Sequence, residues 1–140
     1  MTTKADLIGL GIGVFQADVL GDTPTLFTAV GTTVGSAAQI PGTQFSTVIN
    51  AGTSAVKVPK IGGEGPSGGG RLGSFYKIVN LTTTTISIFA AANDLGSAIT
   101  FFGSGVSSVG STGLSLAAGR TAVLEPLTIS TWSFFNASVA

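Results

Sequence analysis

The sequence contains no histidine and no cysteine among its 140 residues. Histidine is the side chain whose ordinary pKa lies nearest neutral pH, and together with cysteine it supplies most ligands of zinc and other soft metals. The absence of both excludes disulfide bonds, thiol chemistry and the serine–histidine pair of common hydrolases. We therefore expect no metal, no cofactor and no enzymatic activity.

Charged residues are also scarce: they make up 9% of the chain and give a formal net charge of zero, whereas 44% of the residues are hydrophobic. A small soluble domain usually carries charge on about 25–35% of its surface. The six basic residues are spread thinly along the chain, so the sequence does not favour a nucleic-acid partner. This composition is typical of a protein that covers part of its surface with other copies or with a larger assembly.

Long hydrophobic runs are absent as well, since no run approaches the roughly 20 apolar residues of a membrane-spanning helix. The stretch from Leu7 to Leu20 follows Lys4 and loosely resembles a signal peptide. However, Asp6 precedes it, three glycines lie within it, and Gln16 interrupts its end. The sequence therefore predicts neither a membrane partner nor a cleaved leader.

Short runs of β-branched and aromatic residues, each bounded by Gly, Ser, Asn or Thr, predict a mainly-β fold. Eight strands are expected: Gln44–Asn50, Ser54–Val58, Ser74–Asn80, Thr85–Ala90, Ala98–Gly103, Gly113–Ala117, Thr121–Glu125 and Thr131–Ser138. Their regular spacing indicates an antiparallel, jelly-roll-like β-sandwich over residues 43–140. Alternation should turn Tyr76 and Ile78 to one face, and Trp132 is expected in the core. Residues 118–120 are interpreted as a hairpin turn.

Two segments do not fit this strand pattern. The run Gly62–Gly70 is a glycine-rich sequence that we predict to be a flexible loop, and it lacks the Lys-Ser or Lys-Thr that would complete a phosphate-binding loop. Residues 1–42 contain turn signals at Asp22-Thr23-Pro24 and Ile40-Pro41-Gly42, with no clear strand between them. We predict that residues 1–42 form an extended N-terminal arm.

The most regular part of the arm is Gly9-Leu10-Gly11-Ile12-Gly13. It lacks the GxGxxG spacing of a dinucleotide-binding turn, and a helix would lose about 1 kcal/mol at each glycine relative to alanine. In an extended chain the glycines lie on one face, where another backbone can approach, and apolar side chains lie on the other. The sequence therefore predicts a partner-binding segment, formed by Ile8, Leu10, Ile12, Val14 and the adjacent Phe15.

Carboxylates do not suggest a catalytic or calcium site. Asp18 and Asp22 are four residues apart, but a calcium site needs several more oxygen ligands. Glu64 and Glu125 would suit a glycosidase pair, yet nothing in the sequence brings them together. A depolymerase is therefore the least favoured alternative.

Several motifs together carry a resemblance. They are Asp22–Thr25, Val30–Thr33 and Ala37–Pro41 in the arm, Val79-Asn80 with a Thr-rich turn and Ile86–Phe89, and then Leu116–Ala122 and Trp132. With these the chain resembles small structural proteins of tailed bacteriophages, among them capsid decoration (cement) proteins. Similar proteins often have proline where this chain has Ala90–Ala92, and a Gly-Asn turn in place of Asn93-Asp94.

The resemblance implies a virion protein on the capsid exterior. Its expected partners are the major capsid protein and further copies of itself, in a homotrimer, because similar decoration proteins often occupy local three-fold positions. The alternative is a tail or fibre attachment module that recognises a host receptor or sugar. An exposed aromatic beside Asn, Asp or Gln would favour that alternative.

Overall fold

The computed structural model describes residues 24–61 and 69–140, which contain twelve β-strands and no helix. The strands are β1 (Thr25–Ala29), β2 (Ala38–Gln39), β3 (Ser46–Gly52), β4 (Ala55–Lys57), β5 (Tyr76–Asn80), β6 (Ile86–Phe89), β7 (Thr100–Gly103), β8 (Val106–Val109), β9 (Leu114–Leu116), β10 (Thr121–Thr128), β11 (Thr131–Phe135) and β12 (Ser138–Val139). The predicted mainly-β fold is confirmed.

The strands form two sheets, one of seven strands in the order β1-β3-β5-β10-β11-β7-β8 and one of five in the order β12-β9-β6-β4-β2. Alternate residues of both sheets point into a shared core, which includes Ile49, Ile78, Leu114 and Leu124. The sandwich architecture is therefore confirmed. As expected from the alternation, Tyr76 and Ile78 are buried, whereas Phe75 and Lys77 are exposed.

The connectivity differs from the antiparallel, jelly-roll-like one that the sequence suggested, because both sheets are mixed. The first six strands alternate between the two sheets. Each strand therefore pairs with the strand two places later, which runs in the same direction: β1, β3 and β5 are parallel neighbours, and so are β2, β4 and β6. Antiparallel pairing begins where β10 joins β5 and β9 joins β6. The chain from β1 to β6 thus winds as a flattened coil that passes in turn through one sheet and the other. Strands β7–β12 complete both sheets.

The second part of the predicted arm belongs to the sandwich. Residues 25–29 and 38–39 are strands, and Ala29 and Ile40 lie in the main core cluster. The reason is parallel pairing with β3 and β4, which lie a full turn of the coil away and leave no local signal. The domain boundary expected at residue 42 therefore falls inside the folded region. Residues 1–23 of the arm and residues 62–68 of the predicted loop lie outside the described residues.

The segment 118–120 connects the two sheets, so the predicted hairpin is wrong: β9 lies in the five-stranded sheet and β10 in the seven-stranded one. The Arg120 N–H donates to the Ala117 carbonyl at 3.2 Å, which closes a tight turn. Gly119 has φ 73° within it, and its N–H donates to the Asn80 carbonyl at 2.8 Å. This bond ties the crossing to the end of β5.

Aromatic residues fill the centre of the sandwich. Trp132 is 1% exposed, which confirms its predicted place in the core. Its ring meets the Tyr76 ring edge-to-face with centroids 5.3 Å apart, and Phe45 lies against the Tyr76 ring at 5.1 Å. The Tyr76 hydroxyl donates to the Gly42 carbonyl at 2.6 Å and accepts from the Arg71 N–H at 3.1 Å. Burial raises the pKa of Tyr76, against the smaller lowering effect of Arg71.

Candidate interaction surface

The outward-facing side of the seven-stranded sheet carries several exposed apolar side chains among polar ones such as Lys77, Glu125 and Ser133. The register places Leu26 of β1 beside Val48 of β3, and Val48 beside Val79 of β5. Leu26 is 66% exposed, and the two valines are half-buried. Because residues on one face of a sheet stand side by side, these three form a continuous row.

Further rows extend this side toward β7. Val123 of β10 pairs with Phe135 of β11, which is 71% exposed. One row along, Phe102 of β7 lies beside Ser133 and is 52% exposed, and Phe75 just before β5 is 59% exposed. We call this surface the apolar face and define it by Leu26, Val48, Phe75, Val79, Phe102, Val123 and Phe135. A group of exposed apolar side chains on one side of a sheet is a candidate interaction surface.

Two charged residues lie on the strands of this sheet, Lys77 on β5 and Glu125 on β10. Lys77 is paired with Val123, two residues before Glu125, so the two charges are diagonal neighbours on the apolar face. Among the described residues neither side chain makes an ion pair, whereas Lys60 and Asp94 pair at 3.2 Å elsewhere on the surface. The face is thus electrically balanced and free of any like-charge cluster.

The outward side of the five-stranded sheet is different. Its register aligns Ser138, Ser115 and Ser87 in one row across β12, β9 and β6. Beyond the serines, Ala55 and Phe89 are buried in a small cluster with Ala37. This side therefore presents serine hydroxyls in one part and is covered by its own chain in another. Substitutions in its serine row can serve as controls for substitutions on the apolar face.

A groove runs along one edge of the sandwich, where β8 ends the seven-stranded sheet and β12 ends the five-stranded sheet. It has a volume of about 510 Å³. Its apolar lining residues are Val106, Phe134, Ala137 and Val139, of which Val106 and Val139 are exposed. We call it the edge groove.

A neighbouring pocket of about 430 Å³ is more polar, and we call it the polar pocket. Its lining includes Arg120, Phe135, Asn136 and three serines. The Asn136 side chain donates from Nδ2 to the Thr121 carbonyl at 2.7 Å, which fixes the amide at the pocket wall. The pocket therefore combines an exposed aromatic ring, an amide and a guanidinium group.

Within residues 24–61 and 69–140, no three Asp or Glu side chains come close enough together to hold a metal ion. The same residues include no helix of the length and apolarity that a membrane crossing requires.

The predicted partner-binding residues Ile8, Leu10, Ile12, Val14 and Phe15 all lie outside the described residues. The apolar face was missed at the sequence level. Its signal was present in strands such as Thr121–Thr128, where Val123 is as apolar as the buried Ala122 and Leu124 on either side. Val123 therefore places an apolar side chain on the outward side of β10, between Thr121 and Glu125.

None of the comparisons with protein-family models, curated proteins and solved structures finds a match for this chain. Its function is therefore inferred from its own surfaces.

Proposed function

We propose that this protein is a virion structural protein, a capsid decoration or cement protein of a tailed bacteriophage. It binds the outer surface of the head as a homotrimer and stabilises contacts between major capsid subunits. The apolar face is the observation that carries this proposal, because it is a surface that needs a permanent partner.

The energetics of the apolar face suit attachment at several points. Complete burial of an exposed Leu or Phe side chain stabilises a complex by at most about 1.5–3 kcal/mol, before the costs of association. Leu26, Phe75, Phe102 and Phe135 are already partly covered, so each would contribute less than this. A single copy would then bind modestly, and three linked copies would bind far more tightly through their high effective concentration.

The charge balance supports a place outside the shell. The chain has a net charge of zero, and the apolar face carries one lysine and one glutamate. A surface that contacted packaged DNA would need excess positive charge, and its binding would weaken steeply with salt. An apolar contact does not depend on long-range charge attraction, so decoration should persist at high salt.

The test uses heads of the phage that encodes this chain, prepared without it. Purified protein is added, unbound protein is removed by sedimentation, and electron microscopy locates what remains. We expect regular density on the outside of the head. The double variant F75S/F102S should lose binding, whereas S87A/S115A on the opposite sheet should bind like the wild type. Density on the tail alone, or full binding by F75S/F102S, would refute the proposal.

A second candidate function is recognition of a host receptor or sugar by a tail or fibre module. Trp132 is buried and offers no exposed platform for such a ligand. The polar pocket favours this candidate, because Phe135 is exposed directly beside Asn136. Binding of labelled protein to a glycan array, lost in R120A and retained in K60A, would select it over decoration.

A further inference from the structure

The two lateral edges of the sandwich are formed by different pairs of strands. At one edge β8 and β12 contact each other and border the edge groove. The strand order places β1 and β2 at the opposite edge. Residue 24, where the described chain begins, leads directly into β1.

The edge groove is suited to receive an added strand. Within residues 24–61 and 69–140, β7 is the only strand that pairs with β8 and β9 the only one that pairs with β12, so each leaves one side of its backbone without a neighbouring strand. Natural sheet edges are commonly protected by charged residues or proline, but neither residue type occurs in Val106–Val109 or Ser138–Val139. Val106, Phe134 and Val139 present apolar surface beside these open backbones. Strand addition uses this combination of backbone pairing and pockets for alternate side chains.

We infer that the edge groove binds residues 8–14 of a second copy of this chain. In an extended conformation, Ile8, Leu10, Ile12 and Val14 would enter the groove. The intervening glycines would let the neighbouring backbone approach closely. This inference rests on the proposed function, since it assigns the contact that joins the copies of the homo-oligomer.

The position of β1 favours a contact between copies over one within a copy. Six strand spacings of about 4.8 Å separate β1 from β8, which is about 29 Å across the sheet. Residues 15–24 reach at most about 33–36 Å when fully extended. The segment would reach its own groove only if nearly every residue were stretched straight across the sheet. The groove of a copy that lies beside β1 needs no such extension.

The symmetry of the oligomer follows from this arrangement. The donor segment leaves from the β1 edge and the acceptor groove lies at the β8 edge, so the two contacting surfaces differ. Such head-to-tail contacts form a ring when the rotation between neighbouring copies closes, and a ring of three copies is the predicted homotrimer.

The absence of cysteine makes the test direct, because any introduced thiol is unique. Two differently tagged chains are co-expressed, one carrying L10C and the other V106C, and the purified protein is oxidised. We expect a disulfide between the two chains, in a yield near the roughly one half of the chains that random mixing in a trimer allows, identified by mass spectrometry of the linked peptides. A matched pair of L10C with S87C, on the serine row of the other sheet, should give little cross-linking. Circular dichroism of each variant verifies that it is folded.

Three outcomes would overturn the inference. One is a disulfide that forms only when both cysteines are on the same chain. Another is equal cross-linking of L10C to V106C and to S87C. The third is an unchanged oligomer, by light scattering, after deletion of residues 1–20. Particle binding is measured separately on the same proteins: decoration without the L10C–V106C link overturns this inference alone, and the link without decoration overturns the proposed function alone.

Discussion

Asn80 donates from its Nδ2 to the Leu116 carbonyl oxygen at 3.0 Å, which joins the end of β5 in one sheet to β9 in the other. The same amide donates to the Thr84 carbonyl at 2.8 Å. Its oxygen accepts from the N–H and the hydroxyl of Thr82 at 3.0 and 2.7 Å. Asn80 is fully buried, and these four hydrogen bonds give both polar atoms of its side chain partners within the protein.

The first prediction concerns this amide. N80A should lower the free energy of unfolding by about 2–4 kcal/mol, because it removes the partner of the buried Leu116 carbonyl and the bonds to Thr82 and Thr84. Urea denaturation followed by tryptophan fluorescence measures the change. N50A removes the same group from an exposed position on β3 and should change stability by less than about 0.5 kcal/mol. Equal effects of the two substitutions would contradict the role of Asn80 as a link between the sheets.

The second prediction concerns Gly52, which has φ 84° and faces the backbone of β1. A Cβ at this position would overlap the Ala29 carbonyl oxygen. G52A should therefore destabilise the protein by more than the roughly 1 kcal/mol expected from backbone strain alone, and it should loosen β1 from β3. G73A is the matched control, because Gly73 has φ 76° and open space around it. Thermal unfolding and limited proteolysis near residue 29 should separate the two variants.

The third prediction compares two adjacent phenylalanines of β11. Phe134 is 6% exposed within the core, and Phe135 is 71% exposed on the apolar face. F134A should cost about 3–5 kcal/mol of stability, whereas F135A should cost less than about 0.5 kcal/mol. F135A should instead weaken binding to phage heads. A large loss of stability in F135A would show that this ring is part of the core and not of a contact surface.

The fourth prediction concerns pH. Tyr76 is the only tyrosine, and burial raises its pKa above the ordinary value of 10.0. Below pH 10 the hydroxyl is protonated in both the folded and the unfolded chain. As pH rises above this, the unfolded chain releases the proton first, so the stability that Tyr76 contributes falls as pH rises toward the folded pKa.

Two measurements examine this behaviour. Ultraviolet absorbance of tyrosinate should report a folded pKa above 10.0. The free energy of unfolding of Y76F should fall less steeply above pH 10 than that of the wild type. Every group other than the Tyr76 hydroxyl is present in both proteins, so the comparison isolates the contribution of that hydroxyl. Identical slopes would show that the hydroxyl is not shielded from water in the folded protein.

The positions of the strands were predicted from the sequence better than the pairing between them. Alternation and turn residues located Tyr76–Asn80 and Thr131–Phe135, since these are properties of the local chain. β1 and β2 were missed because they are held by β3 and β4, which come later in the chain. The connection between β9 and β10 was mispredicted for the same reason. The segment Ala118-Gly119-Arg120 has residues that are typical of a hairpin turn, but it crosses from one sheet to the other. Only the tertiary structure, which places Leu114 and Leu124 in different sheets, distinguishes a crossing from a hairpin.

Low charge and high hydrophobicity led us to expect a surface that a partner covers. The structure contains exposed apolar side chains on the seven-stranded sheet, and their coverage by a partner stays a prediction. Composition does not say which strands present such a surface. That depends on the register that aligns Val123 with Phe135, which is set by tertiary pairing. The arm segment around Leu10 remains a prediction.

The insertion of β10 and β11 between β5 and β7 has a consequence for synthesis of the protein on the ribosome. The two middle strands of the larger sheet come last among its seven strands along the chain, after the strands of both flanks. A nascent chain that ends before residue 121 lacks the two strands that join those flanks, and it exposes the apolar interior that Trp132 would cover. The two flanks of the larger sheet can therefore join only when residues 121–135 are available for pairing, which makes closure of this sheet a late step of folding.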